Sequence, residues 1–295
     1  MKLAEIAPEL RGPARRLPRL PLDRPFGLWL VRRTMARMRP VAVPDVDIEV
    51  TAGLRIYRPR EPRSDLTLLW IHGGGLVIGN TVQGDAFCGE TARELGITVV
   101  SAGYRLAPEH PYPAALDDCH AAWESARDQA ADPARVVVGG QSAGGGLAAA
   151  LVQRLCDEGE RPLAQWLFCP MLDDRTAARR DLDARRLRGW DNRLNRLGWR
   201  AYLGQDPGAA VLPHYAAPAR RENLTGLPPA WIGVGDIDLF HDEDVEYARR
   251  LRAAGVGTTV HVEPGAPHGF ESWAPDTGIV RGYLATARAW LGGFA

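Results

Sequence analysis

Val136-Val137-Val138-Gly139-Gly140-Gln141-Ser142-Ala143-Gly144-Gly145-Gly146 is a β-branched run that breaks into glycines around one serine and then passes into an alanine-rich helical pattern. Residues 140–144 have the spacing Gly-x-Ser-x-Gly, in which a strand turns sharply into a helix and holds the serine hydroxyl above the sheet. Such a strained turn brings neighbouring backbones too close for a Cβ at Gly140 or Gly144. Ser142 is therefore a candidate nucleophile. In a chain with 32 glycines the same letters also suit a plain strand-to-helix turn, so the rest of the chain must supply a base, a carboxylate and an oxyanion site.

Working outward, strands and helices alternate. Asp47–Val50 and Leu54–Tyr57 flank Ala52-Gly53 as an antiparallel hairpin. Leu66–Ile71 is a continuous apolar run, as a strand buried on both faces requires, and it ends in His72-Gly73-Gly74-Gly75. A helical pattern near Gln83–Leu95, a strand at Ile97–Ala102, a helix at Ala114–Gln129 and the strand Arg135–Gly139 lead into the serine turn. Further strands are expected at Ala164–Phe168, Pro229–Val234 and Thr258–Glu263, with a last helix near Tyr283–Leu291. The alternation predicts an α/β fold with a mostly parallel central sheet, right-handed crossovers and helices on both faces.

Two stretches break this rhythm. Residues 1–45 are rich in arginine and proline, with Pro8, Pro13, Pro18, Pro21 and Pro25 punctuating any helix before a more helical Phe26–Met38, and they read as an N-terminal cap segment rather than core. Residues 173–215 are charged and carry Trp190 and Trp199, which reads as a helical cap insertion between a first core part, 46–172, and a second, 216–295. Its arginines Arg179, Arg180, Arg185, Arg186 and Arg188 lie close to Asp181 and Asp183, the pattern of a solvated, mutually screened face.

Composition narrows the function classes. A hydrophobic fraction of 45%, a charged fraction of 24% and a formal net charge of +0 are those of a globular chain with no overall pull toward nucleic acid or membrane. Cys88, Cys119, Cys156 and Cys169 form no Cys-x-x-Cys pair and have no histidine at zinc-ligand spacing, so reduced thiols and no metal are expected. No stretch approaches the roughly 18 apolar residues of a membrane span, and the start lacks a signal-peptide pattern, which makes the expected location cytoplasmic.

A serine needs a base within hydrogen-bond reach and a carboxylate to orient that base. In a strand-turn-helix serine fold the chain order is Ser, Asp or Glu, then His. Among the later histidines, His214 falls in the cap, His241 at a helix start and His261 within the last strand. His268 follows Pro264-Gly265-Ala266-Pro267 just beyond the C-terminal end of that strand, where ligand-facing groups of open α/β sheets gather, and is the expected base. The carboxylate is sought after Trp231–Val234, where Asp236 and Asp238 both qualify, while Asp242, Glu243 and Asp244 are accounted for as acids of a first helical turn. Gly73 and Gly74, after the early buried strand, can aim N–H groups at an oxyanion together with Ala143, and His72 reads as a residue that orders this loop.

Assembled, these residues resemble the hormone-sensitive-lipase-like branch of the α/β-hydrolases, the bacterial family IV carboxylesterases. The resemblance covers about residues 46–295 and rests on the 72–75 glycine loop, Tyr104-Arg105-Leu106-Ala107-Pro108-Glu109-His110-Pro111, the serine turn, Asp238-Leu239-Phe240-His241-Asp242-Glu243, and His268-Gly269-Phe270. It implies an α/β-hydrolase fold and a Ser142-His268-Asp238 triad, with Asp238 selected over Asp236 by the flanking acids. It further implies hydrolysis of short- to medium-chain acyl esters without a cofactor, small-molecule ester substrates, and a possible homodimer. Two positions depart from the pattern: Gln141 and Gly103 stand where the family commonly has aspartate. A non-catalytic hydrolase-fold receptor and an amidase or peptidase on the same triad are the rival readings.

Overall fold

Uninterrupted apolar runs become strands buried on both faces, and the glycine breaks become the turns at their C-terminal ends. The computed structural model describes residues 3–18, 21–51, 53–184 and 189–295. Its 8-stranded sheet is built from β1 (Val46–Thr51), β2 (Leu54–Pro59), β3 (Thr67–Ile71), β4 (Thr98–Ala102), β5 (Val136–Gln141), β6 (Gln165–Phe168), β7 (Ala230–Gly235) and β8 (Thr258–Glu263). The order is β1-β2-β4-β3-β5-β6-β7-β8, antiparallel where β2 meets β1 and β4 and parallel from β4 to β8. The helices are α1 (Pro8–Arg16), α2 (Pro25–Met35), α3 (Asp85–Leu95), α4 (Ala114–Gln129), α5 (Ala143–Asp157), α6 (Asp174–Ala178), α7 (Asn192–Leu203), α8 (His241–Ala253), α9 (Phe270–Trp273) and α10 (Gly278–Gly292).

Period-two alternation divides the core between the two faces of the sheet. Leu69, Ile71, Val136, Val138, Leu167 and Ile232 join the helices of one face, while Leu68, Trp70, Val137, Trp166, Phe168 and Trp231 point to the other. On that second face the aromatic rings pack together, with Trp166 and Phe168 edge to face at 4.7 Å between centroids and Phe168 and Trp231 tilted at 4.8 Å. Contacts of this kind contribute about 0.5–1.5 kcal/mol each beyond area burial. Phe270 belongs to the same layer, 4.7 Å from Tyr283, so the turn carrying His268 is anchored in the core.

The connections set where chemistry can occur. From β3 the chain crosses to β4 on one side and then returns to place β5 on the other, so β3 and β5 part company at a topological switch point. Open α/β sheets bind ligands in the crevice at such a point. Ile71 and Gly140 are register partners there, which brings the loop after β3 beside the serine turn after β5.

The N-terminus departs from expectation. Ile6, Leu10 and Ala14 are buried and join the second-face core, so this part of the 1–45 segment is core material. Pro8 sits in the first turn of α1, where a missing N–H is no loss, and burial of Leu10 and Ala14 outweighs the donor lost at Pro13. At the other end α10 starts at Gly278 rather than Tyr283, because the Thr277 hydroxyl accepts the Val280 N–H. Within residues 173–215, α6, a 3₁₀ turn at Arg180–Ala184 and α7 are helical, and Arg179–Asp181 and Arg180–Asp183 ion pairs lie 2.7 Å and 2.9 Å apart on an exposed face. Arg185, Arg186 and Arg188 lie outside the described residues. Among the described residues no helix is long and apolar enough to cross a membrane.

Candidate active site

Ser142 adopts φ 55° and ψ −121°, a conformation that costs a non-glycine residue about 1–3 kcal/mol. The surroundings over-determine it. Its N–H donates to the Phe168 carbonyl (2.8 Å), and its carbonyl accepts from Gly146 (3.0 Å) and Met171 (2.9 Å). A Cβ at Gly140 would lie 2.3 Å from the Gly144 oxygen, and one at Gly144 would lie 2.1 Å from the Ile71 oxygen, so the elbow closes only with glycine at both places.

The structure brings Ser142, His268 and Asp238 into one chain of hydrogen bonds. The Ser142 hydroxyl is 2.8 Å from His268 Nε2, and His268 Nδ1 donates to Asp238 at 2.8 Å and 3.1 Å. Bonding to a carboxylate fixes the Nδ1–H tautomer and leaves Nε2 free to accept the serine proton. Asp238 is fixed in turn by the Phe240 N–H at 2.9 Å, and the Phe240 ring stands edge-on to the imidazole with centroids 5.0 Å apart. All three residues are buried. Burial works against the imidazolium, but the charge and hydrogen bond of Asp238 and the charge of Glu271 outweigh it, and the His268 pKa is raised from its ordinary value.

Other candidates fall elsewhere. Asp236 accepts from the Gly265 N–H and so shapes the loop before His268. His241 faces Asp242, His261 faces Glu263, and His214 stacks on Tyr215. His72 packs 4.3 Å from the Tyr104 ring and its Nδ1 lies 2.8 Å from the Gly73 oxygen; burial lowers its pKa to about 4, so it is a neutral ring that orders the loop.

That loop lies against the elbow. A Cβ at Gly73 would fall 3.0 Å from the Gln141 oxygen and 3.3 Å from Ser142 Cβ. The loop carbonyls are committed backwards: Gly73 accepts from Gln83 and Gly74 from Val77 and Ile78. Among the described residues no acceptor takes the N–H groups of Gly73, Gly74 or Ala143. These N–H groups are thus uncommitted, and Ala143 opens α5, where the helix dipole also favours a negative charge. Gly189 and Trp190, just before α7, lie against this corner. Trp190 packs on Gly75, where a Cβ would be 2.1 Å from its ring, and Gly189 abuts the His268 carbonyl, 2.8 Å from a Cβ built there.

Sequence reasoning missed three acids. Glu243 and Asp244 are buried, and the helix-dipole explanation does not cover them. Glu243 accepts from the Leu172 (2.7 Å) and Asp173 (3.1 Å) N–H groups and ties the end of the β6 segment to α8. Glu271, three residues past His268, accepts from the Gln141 side chain at 2.5 Å. A carboxylate so close to a buried candidate base was a signal that spacing alone could have raised. Cys169, Asp238 and His268 offer ligand atoms within 4.8 Å of one another. Both ring nitrogens of His268 are already committed to Ser142 and Asp238, and burial, reinforced by nearby acids, pushes the Cys169 thiol well above its ordinary range. This trio is the setting of the imidazole and not a donor set arranged for a metal.

Residues 68–272 match the family described as having the alpha/beta hydrolase fold. The carboxylic ester hydrolase LipN of Mycobacterium tuberculosis is 38% identical over 247 residues, an alignment spanning 78% of this chain and 64% of LipN, just under two thirds of that protein. The carboxylesterase NlhH of the same organism is 34% identical over 270 residues, covering 84% of this chain and 83% of its own. Among solved structures, a bacterial heroin esterase superposes with a TM-score of 0.87 at 34% identity, covering 100% of this chain and 99% of that one. Fold, site and relatives agree, and the chain belongs to the α/β-hydrolase-fold family, in its hormone-sensitive-lipase-like branch of carboxylic ester hydrolases.

Proposed function

We propose that the chain is a serine carboxylesterase acting on short- to medium-chain acyl esters through Ser142, His268 and Asp238, with Gly73, Gly74 and Ala143 as oxyanion donors. The observation that carries the reading is the unbroken 2.8 Å relay from Ser142 Oγ to His268 Nε2 and from Nδ1 to Asp238. His268 takes the serine proton as Oγ attacks the ester carbonyl, and the carbonyl electron pair moves onto an oxygen held by the three N–H groups. When the tetrahedral species collapses, the alkoxy bond breaks and His268 returns its proton to the leaving alcohol. Water, deprotonated by the same imidazole, then cleaves the acyl-serine ester and frees the acid. Asp238 orients the imidazole and stabilises the imidazolium.

Residues 173–215 serve in this reading as the cap over the acyl and alcohol pockets, with residues 1–45 closing one side. Trp190, seated on Gly75, puts a cap residue against the proposed oxyanion loop. The test is release of p-nitrophenol from acetate, butyrate and octanoate esters by the protein and by Ser142→Ala. Turnover by the parent and loss of about 10⁴-fold or more in the variant is expected. A folded parent that turns over none of them favours the receptor reading, and faster cleavage of the matching anilides favours an amidase.

A further inference from the structure

The base reaches Ser142 from far away in the sheet. Ser142 follows β5 and His268 follows β8, with β6 and β7 between them. At about 4.8 Å per strand that is roughly 14 Å of sheet edge to be spanned by a loop. A 2.8 Å serine–imidazole contact at the end of such a reach needs a tether on the serine side.

Gln141 supplies one. It ends β5 immediately before the nucleophile, and its Nε2 donates to Glu271 Oε1 (2.5 Å) and to Ser272 Oγ (2.6 Å), both in the α9 turn that follows His268. Its backbone and side-chain oxygens also lie beside Gly73, 3.0 Å and 3.4 Å from a Cβ built there. One side chain thus touches the loop of the oxyanion donors, the elbow strand and the turn of the base. Within that turn the Trp273 indole N–H holds the His268 carbonyl at 3.0 Å, so a displacement of Glu271 is passed to the imidazole through a short, packed segment.

We infer that Gln141 and Glu271 are a positioning pair that holds the His268 turn against the elbow strand and places a second carboxylate behind the base. The inference rests on the esterase reading of the same site. It also accounts for the departure at position 141: the acid missing before the nucleophile stands at 271, across the same hydrogen bond. An aspartate at 141 would oppose Glu271 with a like charge, whereas the carboxamide donates to it.

The groups facing Glu271 are Gln141 from β5, Cys169 from the segment after β6 (3.9 Å), Asp238 and His268 from the loops after β7 and β8, and Tyr283 from α10. No fixed cation pairs with it among the described residues. Burial raises its carboxyl, the Gln141 hydrogen bond and the charge of His268 oppose that rise, and its own charge in turn favours the imidazolium.

The experiment measures kcat and KM against pH on p-nitrophenyl butyrate for the parent, Gln141→Ala and Glu271→Gln, with folding checked by circular dichroism. Gln141→Ala lowers kcat by roughly 10-fold, with KM within about twofold, because a base out of place costs turnover rather than binding. Glu271→Gln still accepts the hydrogen bond but loses the charge, so the acid limb of the profile moves to lower pH by about half a unit. A purely structural pair would lower the melting temperature and move neither quantity. Should Gln141→Ala not fold, the near-isosteric Glu271→Gln decides through the limb. Should the parent hydrolyse no ester, the titration of the low-field His268 Nδ1 proton by NMR reads the same shift without turnover. An acid limb, or in that case an NMR midpoint, that stays in place in folded Glu271→Gln overturns the inference, as does an undiminished kcat in folded Gln141→Ala.

Discussion

Gly74→Ala tests the oxyanion loop directly. Gly74 has φ +131°, and a Cβ built on it would lie 1.9 Å from the Ile78 carbonyl oxygen, when real Cβ contacts essentially never fall under 3.0 Å. Alanine therefore forces the loop and that oxygen apart by about 1 Å, the scale of misplacement that costs about 10²-fold in a catalytic site. The same movement pulls the Gly74 carbonyl from the Val77 and Ile78 N–H groups, now 3.2 Å and 3.0 Å away, so the turn cannot absorb it quietly. The backbone strain is about 1–3 kcal/mol of stability. Loss of one oxyanion donor is on the order of 10²–10³ in kcat, with KM little changed because the ground-state carbonyl gains less from the donor than the anion does. Stopped or steady-state release of p-nitrophenol, normalised to folded protein by thermal melts, measures both. A variant that melts several degrees lower yet turns over at the parent's rate would show that Gly74 shapes the loop without holding the oxyanion.

Two further outcomes concern stability. Asp244 is fully buried and neither carboxylate oxygen has a partner among the described residues; burial, reinforced by the charges of Glu243 and Asp238, holds its carboxyl well above the usual range. The folded state thus keeps a proton that the unfolded chain releases above about pH 4, so this residue's contribution falls as pH rises from there toward its folded pKa. Asp244→Asn removes that slope: its melting temperature should exceed the parent's at neutral pH and the gap should close near pH 4, whereas a uniform loss at every pH would refute the assignment. Gly282, exposed in the middle of α10 with nothing within 4 Å of an added Cβ, gives the control. Gly282→Ala should stabilise by about 0.5–1 kcal/mol, a rise of roughly 1–3 °C by calorimetry, with unchanged kcat.

How far the sequence reaches is set by the range of the interactions that fix each feature. Leu66–Ile71 and Val136–Val138 are readable as buried strands because a run of apolar residues has few other places to go, and His72–Gly75 and Gly140–Gly144 because close approach leaves glycine as the only fit. The candidate base was found by a local argument too, a loop just past a strand end. Asp238 needed the family resemblance, since Asp236 has the same local context and differs only in facing Gly265 rather than His268. The Gln141–Glu271 contact joins residues 130 apart, and no periodicity in either segment announces it. The prolines of α1 misled for the same reason: the local cost of Pro13 is legible, while the tertiary burial of Ile6, Leu10 and Ala14 that offsets it is not.

The buried acids around the base have a common logic. Asp238 and Glu271 come from two different segments and converge behind His268 and Cys169, and no arginine or lysine pairs with either of them among the described residues. In a resting protein that is a costly arrangement, because each ionised acid would prefer water or a cation. It becomes useful when the imidazole carries a proton, which in the proposed mechanism happens twice per turnover, once in each tetrahedral species. Charge then appears between an anionic field behind the ring and an oxyanion in front of it. A fixed cation behind the ring would relieve the resting strain and cancel that field at the moment of reaction. The unpaired acids therefore follow from the chemistry assigned to His268: their stabilising partner is a cation that exists only during the reaction.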